Sequence, residues 1–210
     1  MKIVSEIVGV LAEKVEHKKA FITMLVSSLV SLGASLVLSV EAISLAKNSS
    51  AKLFCDVNAI ISCGKVGNSW QSNLLGFPNA FIGLICEPVV ITVAVAGLSR
   101  VTFPKWFMKA ALYVYGLALI FALWLFSQSY FVIKAFCPWC LLVTVSTVTV
   151  FASMLRVNLL TNTFNMSAKR YERISNLLYA GRDTVVVTLL YTILATMVIL
   201  KYGRYFLPGA

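Results

Sequence analysis

The chain has 210 residues, 60% of them hydrophobic and only 12% charged. Soluble domains carry about 25% charged residues, so a soluble core is excluded and lipid is the expected solvent. The formal charge of +10 would suggest nucleic acid in a soluble protein; here the basic residues stand between apolar runs, where they act as topology signals, and no nucleic-acid partner is expected.

A membrane span needs about 20 mostly apolar residues. Residues 1–19 set Ile3, Ile7 and Leu11 at helical spacing among lysines and glutamates, which predicts an amphipathic helix on the inner surface or a solvated lead into the first span. The first span runs from Ala20 to near Leu45, and a polar outer loop, 47–78, follows it. The second span begins at Asn79 and ends near Leu98; a short basic connection containing Pro104 leads to the third, Lys109 to Ile133, which is rich in aromatics. After a very short turn, Lys134 to Cys137, the fourth span covers Pro138 to about Leu155. Arg156 to Asp183 is a longer polar connection in which Asn165 to Gly181 is a second candidate surface helix, and the fifth span is Val185 to about Leu200. The expected fold is an all-α membrane protein, a four-helix transmembrane bundle plus a fifth transmembrane helix. It divides into an N-terminal segment (1–19), a redox core (20–158), a cytoplasmic connection (159–184) and a fifth helix with a short outer tail (185–210).

Lysine and arginine in the flanks orient the spans. Lys2, Lys14, Lys18, Lys19, Arg100, Lys105, Lys109, Arg156, Lys169, Arg170, Arg173 and Arg182 fall on one side, against Lys47, Lys52, Lys65, Lys134, Lys201 and Arg204 on the other. The richer side is expected to be cytoplasmic, with the N-terminus inside and the C-terminus outside. The first span is longer than the apolar region of about 7–15 residues in a cleaved signal, so it is read as a true span.

The chemistry lies in the cysteines. Cys137-Pro138-Trp139-Cys140 opens the fourth span, where two thiols can close a short disulfide and face the positive end of the helix dipole, which favours the thiolate. Pro138 suits the first helical turn. Zinc sites share this spacing but usually need four ligands, and His17, the only histidine, falls on the opposite side; no metal is expected. Cys55 and Cys63 lie in the loop after the first span. The charge-based topology therefore puts all four on the outer face, where disulfides persist. Inert staples of the outer loops are the alternative, although a C-x-x-C ring is too small to brace a fold well. Cys86, within the second span, reads as a small hydrophobe.

The run Cys55-Asp56-Val57-Asn58-Ala59-Ile60-Ile61-Ser62-Cys63, then Gly76-Phe77-Pro78-Asn79, then Cys137-Pro138-Trp139-Cys140 resembles the vitamin K epoxide reductase family, and its prokaryotic stand-alone members most, over roughly Ala20 to Leu155. The resemblance implies a four-helix bundle around a quinone (ubiquinone or menaquinone), capped by the loop of Cys55 and Cys63. By that likeness Cys140 lies against the quinone, Cys137 exchanges with Cys63, and Cys55 receives electrons from a separate thioredoxin-fold dithiol partner on the outer side. Asn79 would hydrogen-bond a quinone carbonyl. Thr144 stands where animal members carry a tyrosine that also bonds the ligand, and its shorter hydroxyl weighs against epoxide chemistry more than against plain quinone reduction.

Supporting candidates are Asp56, Ser62, Trp139 and Glu87. Asp56 either caps a helical turn of the loop or tunes Cys55; a carboxylate beside a thiol raises the thiol's pKa, which favours the cap. Ser62 either caps or donates to a neighbouring backbone group. Glu87 precedes Pro88 deep in the second span, where an ionisable group is either a proton carrier or a neutral acid bonded to a carbonyl that the proline frees. Glu41 is expected at the headgroups, and Trp70 either anchors at the interface or folds over the site. Three functions follow: a thiol:quinone oxidoreductase supporting disulfide formation in exported proteins, a quinone or quinone-epoxide reductase maintaining a cofactor, and a non-enzymatic membrane protein with structural disulfides. The resting disulfides stay open among the two within-pair bonds and Cys63–Cys137.

Overall fold

The computed structural model describes residues 2–58 and 60–203, with side chains from Val15 onward. The expected amphipathic face of Ile3, Ile7 and Leu11 and the expected tail from residue 204 lie outside them. The helices are α1 (Lys2–Lys47), α2 (Cys63–Gly67), α3 (Ala80–Leu98), α4 (Lys105–Ser127), α5 (Pro138–Leu160), α6 (Ala168–Tyr179) and α7 (Arg182–Tyr202). A single 3₁₀ turn covers Trp70–Asn73, and a π turn, Gln128–Ile133, extends α4. Five stretches are long and apolar enough to cross a membrane: Val15–Lys47, Ala80–Leu98, Lys105–Ile133, Pro138–Leu160 and Arg182–Tyr202. The chain is an all-α membrane protein.

Between helices in lipid there is little hydrophobic drive, so close packing of small residues does the work. α1 accordingly turns a stripe of serines inward: Ser28, Ser31, Ser35 and Ser39 are all buried. The stripe meets α3 at Gly83, where an added Cβ would stand 2.1 Å from the Ser35 hydroxyl and 2.8 Å from its Cβ. Further along the same crossing the Phe21 ring lies against Gly97. Met24, Val93, Tyr115, Val150 and Met154 fill the core among α1, α3, α4 and α5.

The helix ends follow from local chemistry. Pro104 stands before α4 and Pro138 occupies its expected place in the first turn of α5. Lys134, with φ of 54°, ends the π turn. α1 continues unbroken through the boundary expected at residue 20. α5 runs past the expected end near Leu155 to Leu160, which brings Arg156 inside the helix. There its guanidinium pairs with Glu16 of α1 and, at 2.7 Å, with Asp183 of α7, and donates to the Leu178 carbonyl of α6 at 3.0 Å. A charge that the sequence suggests as the start of a loop is thus satisfied by three neighbouring helices. α7 leans on α5 through Tyr191, whose hydroxyl bonds Thr149 and the Val145 carbonyl.

The Gly83 contact gives a direct test. Gly83→Ala overpacks the α1–α3 crossing and is expected to cost about 1–3 kcal/mol, read as a lower unfolding midpoint in detergent. Ser35→Gly in the same chain should recover much of the loss.

Candidate functional site

The loop between α1 and α3 is organised by Asp56. One carboxylate oxygen accepts from the Ser62 hydroxyl at 2.7 Å and the Gly64 amide at 3.0 Å, and the other accepts from the Leu53 amide at 2.9 Å. Ser62 is the N-cap of α2 and accepts from the Lys65 amide at 3.0 Å. Both residues therefore sit in the cap that starts α2 and fixes the turn carrying Cys55. Partial burial pushes the Asp56 carboxyl up, but hydrogen bonds from Gly64, Ser62, Leu53 and Cys63 outweigh it and hold the group below its usual range.

Backbone pairing docks this loop on the chain before α5. The Ser62 amide donates to the Phe136 carbonyl at 3.1 Å and the Phe136 amide to the Ile60 carbonyl at 2.7 Å, a parallel bridge between Ile61 and Phe136. Cys63 and Cys137 each follow this bridge closely in sequence, and their sulfurs end 3.3 Å apart. Cys55 and Cys63 are joined as a disulfide, whereas Cys137 and Cys140 are free thiols with sulfurs 2.6 Å apart. All four sulfurs form one chain: Cys55, Cys63, Cys137, Cys140. Leu45, Leu53, Val66 and Ala135 pack around it, with Trp139 at the edge.

Beneath the loop lies a cavity of about 230 Å³ bounded by α1, α3, α4 and α5. Asn79, Cys140, Thr144 and Glu87 line it, as do Cys86 and Tyr202. Asn79 donates its amide to the Gln71 carbonyl at 2.7 Å, while its Oδ1 is buried without a partner. The amide keeps a second N–H. Thr144 spends its hydroxyl hydrogen on the Cys140 carbonyl at 2.9 Å, as helical threonines often do, and is left with acceptor capacity only. Glu87 sits eight residues beyond Asn79 on α3, roughly 12 Å deeper at about 1.5 Å per residue. Its Oε1 accepts from Ser31 at 2.7 Å and Tyr115 at 2.9 Å; its Oε2 is buried and unpartnered. Trp139 and Ser62 do not reach the cavity wall. Trp70 is exposed and packs its ring 6.2 Å from that of Trp124.

Two features differ from expectation. Glu41, expected at the headgroups, is only 8% exposed, with carboxylate oxygens 3.5 and 3.6 Å from the Cys55 sulfur. An acidic residue inside an apolar run is the signal for such a site, and its place near the end of the span concealed it. The fifth span reaches the site as well: Tyr202 lines the cavity and packs its ring 5.7 Å from that of Phe136. Glu41, Cys55 and Cys63 offer ligand atoms within 4.8 Å of one another. Metal sites use thiolates, and the two sulfurs here are bonded to each other, so the cluster does not suit a metal in this state.

The second N–H of Asn79 can donate to a carbonyl on a flat ring, as a quinone has, and the orphaned Asn79 and Glu87 oxygens can accept from the hydroxyls of its reduced form. Asp56 makes the first prediction. Its depressed carboxyl stabilises the loop fully above about pH 4, the ordinary aspartate value, and that stability is lost as pH falls through the lower folded value. Asp56→Ala is expected to remove about 0.5–2 kcal/mol of loop stability at neutral pH, read as faster hydrogen exchange at the Gly64 amide.

The sequence profile of the vitamin K epoxide reductase family matches residues 22–155. Members of that family are oxidoreductases that act with quinones. A search of curated proteins finds no match.

Proposed function

The chain belongs to the vitamin K epoxide reductase family, and on that premise we propose that it is a thiol:quinone oxidoreductase supporting disulfide formation in exported proteins. The observation that carries this reading is the 3.3 Å contact between the Cys63 and Cys137 sulfurs. Thiol–disulfide exchange proceeds by a thiolate striking a disulfide sulfur, so sulfurs in van der Waals contact are one short movement from reaction. Inert staples need no such contact.

The relay runs as follows. A dithiol partner of thioredoxin fold, on the outer side, attacks Cys55 and leaves both loop cysteines reduced and itself oxidised. Cys63 then attacks Cys137 in a Cys137–Cys140 disulfide, and Cys140 departs with the electron pair. Cys55 attacks Cys63, restoring the loop disulfide and freeing Cys137. The product has the loop pair bonded and the helix pair as thiols. A bound quinone supplies the final acceptor of two electrons and two protons. Asn79 would donate its second N–H to a carbonyl of that ring and, through its orphaned oxygen, accept from a hydroxyl of the reduced ring; Cys140 would lie against the ring, with Thr144 at the wall. Glu87, fixed by Ser31 and Tyr115, carries a proton at the deep end of the cavity. The redox cysteines and the C-terminus face outward and the N-terminus inward, as the basic residues indicate.

Purified protein in detergent, given a dithiol and a soluble quinone, is expected to reduce the quinone; Cys137→Ala and Cys140→Ala should each abolish turnover. A folded wild type that turns over no quinone would return the cysteines to a stapling role. Glu87→Gln should slow quinone reduction by about 100-fold, in the usual range for loss of a proton-transfer group, while exchange between the loop and helix pairs, followed by thiol trapping, stays at the wild-type rate.

A further inference from the structure

We propose that Glu41 is the general acid and base of Cys55: it hands a proton to that sulfur when the loop disulfide is reduced and takes it back when the disulfide re-forms. This rests on the relay reading above. The carboxyl group approaches Cys55 with both oxygens, at 3.5 and 3.6 Å, from the penultimate turns of α1. A disulfide sulfur has no hydrogen to give, so the contact is attractive only if the carboxyl is the donor. Nothing else would keep a charged carboxylate there. Among the described residues neither lysine nor arginine pairs with Glu41, and none lines the cavity it shares. Desolvation disfavours a buried carboxylate with no cation beside it, so next to the disulfide the group holds its proton.

Asp56 is the adjacent carboxylate and is not available for this task. Its oxygens already accept from Leu53, Ser62 and Gly64, and taking a proton would break the cap of α2. Asp56 from the loop and Cys140 from α5 act on Glu41 electrostatically. On the shared cavity α3 adds Cys86 and Glu87, α4 adds Tyr115 and α7 adds Tyr202.

The proton balance closes around the relay. When the partner's second thiolate resolves the partner–Cys55 mixed disulfide, Cys55 leaves as a thiolate and receives the Glu41 proton, giving a thiol and a carboxylate. Cys63, as thiolate, meanwhile attacks Cys137 and expels Cys140. Glu41 then removes the Cys55 proton as that sulfur attacks Cys63; the Cys63–Cys137 bond breaks, Cys137 leaves with the electron pair, and Glu41 is again an acid beside a disulfide. Two electrons have passed to the helix pair and the Glu41 proton has returned to its origin.

Two readouts on Glu41→Gln and Glu41→Asp test this. The first is the alkylation rate of Cys55 against pH in the fully reduced protein, followed by peptide mass; it needs no quinone and stands even if wild type turns over none. Loss of the neighbouring carboxylate in Glu41→Gln should lower the Cys55 midpoint by about one unit, and Glu41→Asp should stay close to wild type. The second is turnover from dithiol to quinone, expected to fall on the order of 100-fold in Glu41→Gln and to recover in part in Glu41→Asp. An unmoved Cys55 midpoint in Glu41→Gln overturns the proposal, even with reduced turnover, because loss of packing would account for that. Wild-type turnover in Glu41→Gln overturns it as well, whatever the midpoint does.

Discussion

The site depends on two backbone hydrogen bonds, from Ser62 to Phe136 and from Phe136 to Ile60. They are the only strand-like pairing among the described residues, and they tie a polar loop to the chain that enters α5. Because the bridge immediately precedes both Cys63 and Cys137, it brings two sulfurs separated by 74 residues into contact. Its strength suits the task. Each such bond contributes about 0.5–1.5 kcal/mol net, enough to set a register and little enough to let the loop shift by the length of a bond in the proposed exchange. The apolar packing of Leu45, Leu53, Val66 and Ala135 adds to that hold and keeps water from the sulfurs.

α1 is the element on which the rest is measured. Its buried serines let α3 approach closely, and the same face carries Ser31 to Glu87 and, further out, Glu41 to Cys55. One helix thus supplies a polar contact at the deep end of the cavity and another at its mouth. Ser35, Leu38, Glu41 and Leu45 recur at helical spacing along that wall. The acidic side chains are tolerable in such a setting because each has specific partners: Glu87 accepts from two hydroxyls, Glu16 and Asp183 share an arginine, and Glu41, as the neutral acid, meets the Cys55 sulfur.

Much of this was legible in the sequence, because lipid imposes simple rules. Apolar runs gave five spans, and the motifs around Cys55, Cys63, Asn79, Cys137 and Cys140 gave the family. What escaped was side-chain pairing across helices, which no local pattern encodes. Arg156 looks like the first residue of a polar connection until Glu16 and Asp183 are seen to neutralise it. Glu41 lies near the end of a span, where the headgroups are as natural a place as a cavity. Tyr202 belongs to a span outside the shared core, and only the packing of α7 on α5 brings it to the cavity wall. Thr144 occupies the expected place in sequence, yet its hydrogen is turned back to the helix.

The contact between Cys63 and Cys137 bears on more than proximity. In the proposed relay electrons would cross it as the pair of a sulfur–sulfur bond and not singly, so no sulfur radical would form and dioxygen would meet no one-electron donor at the sulfurs. Cys137, 2% exposed, is further screened from dissolved oxidants by the loop above it.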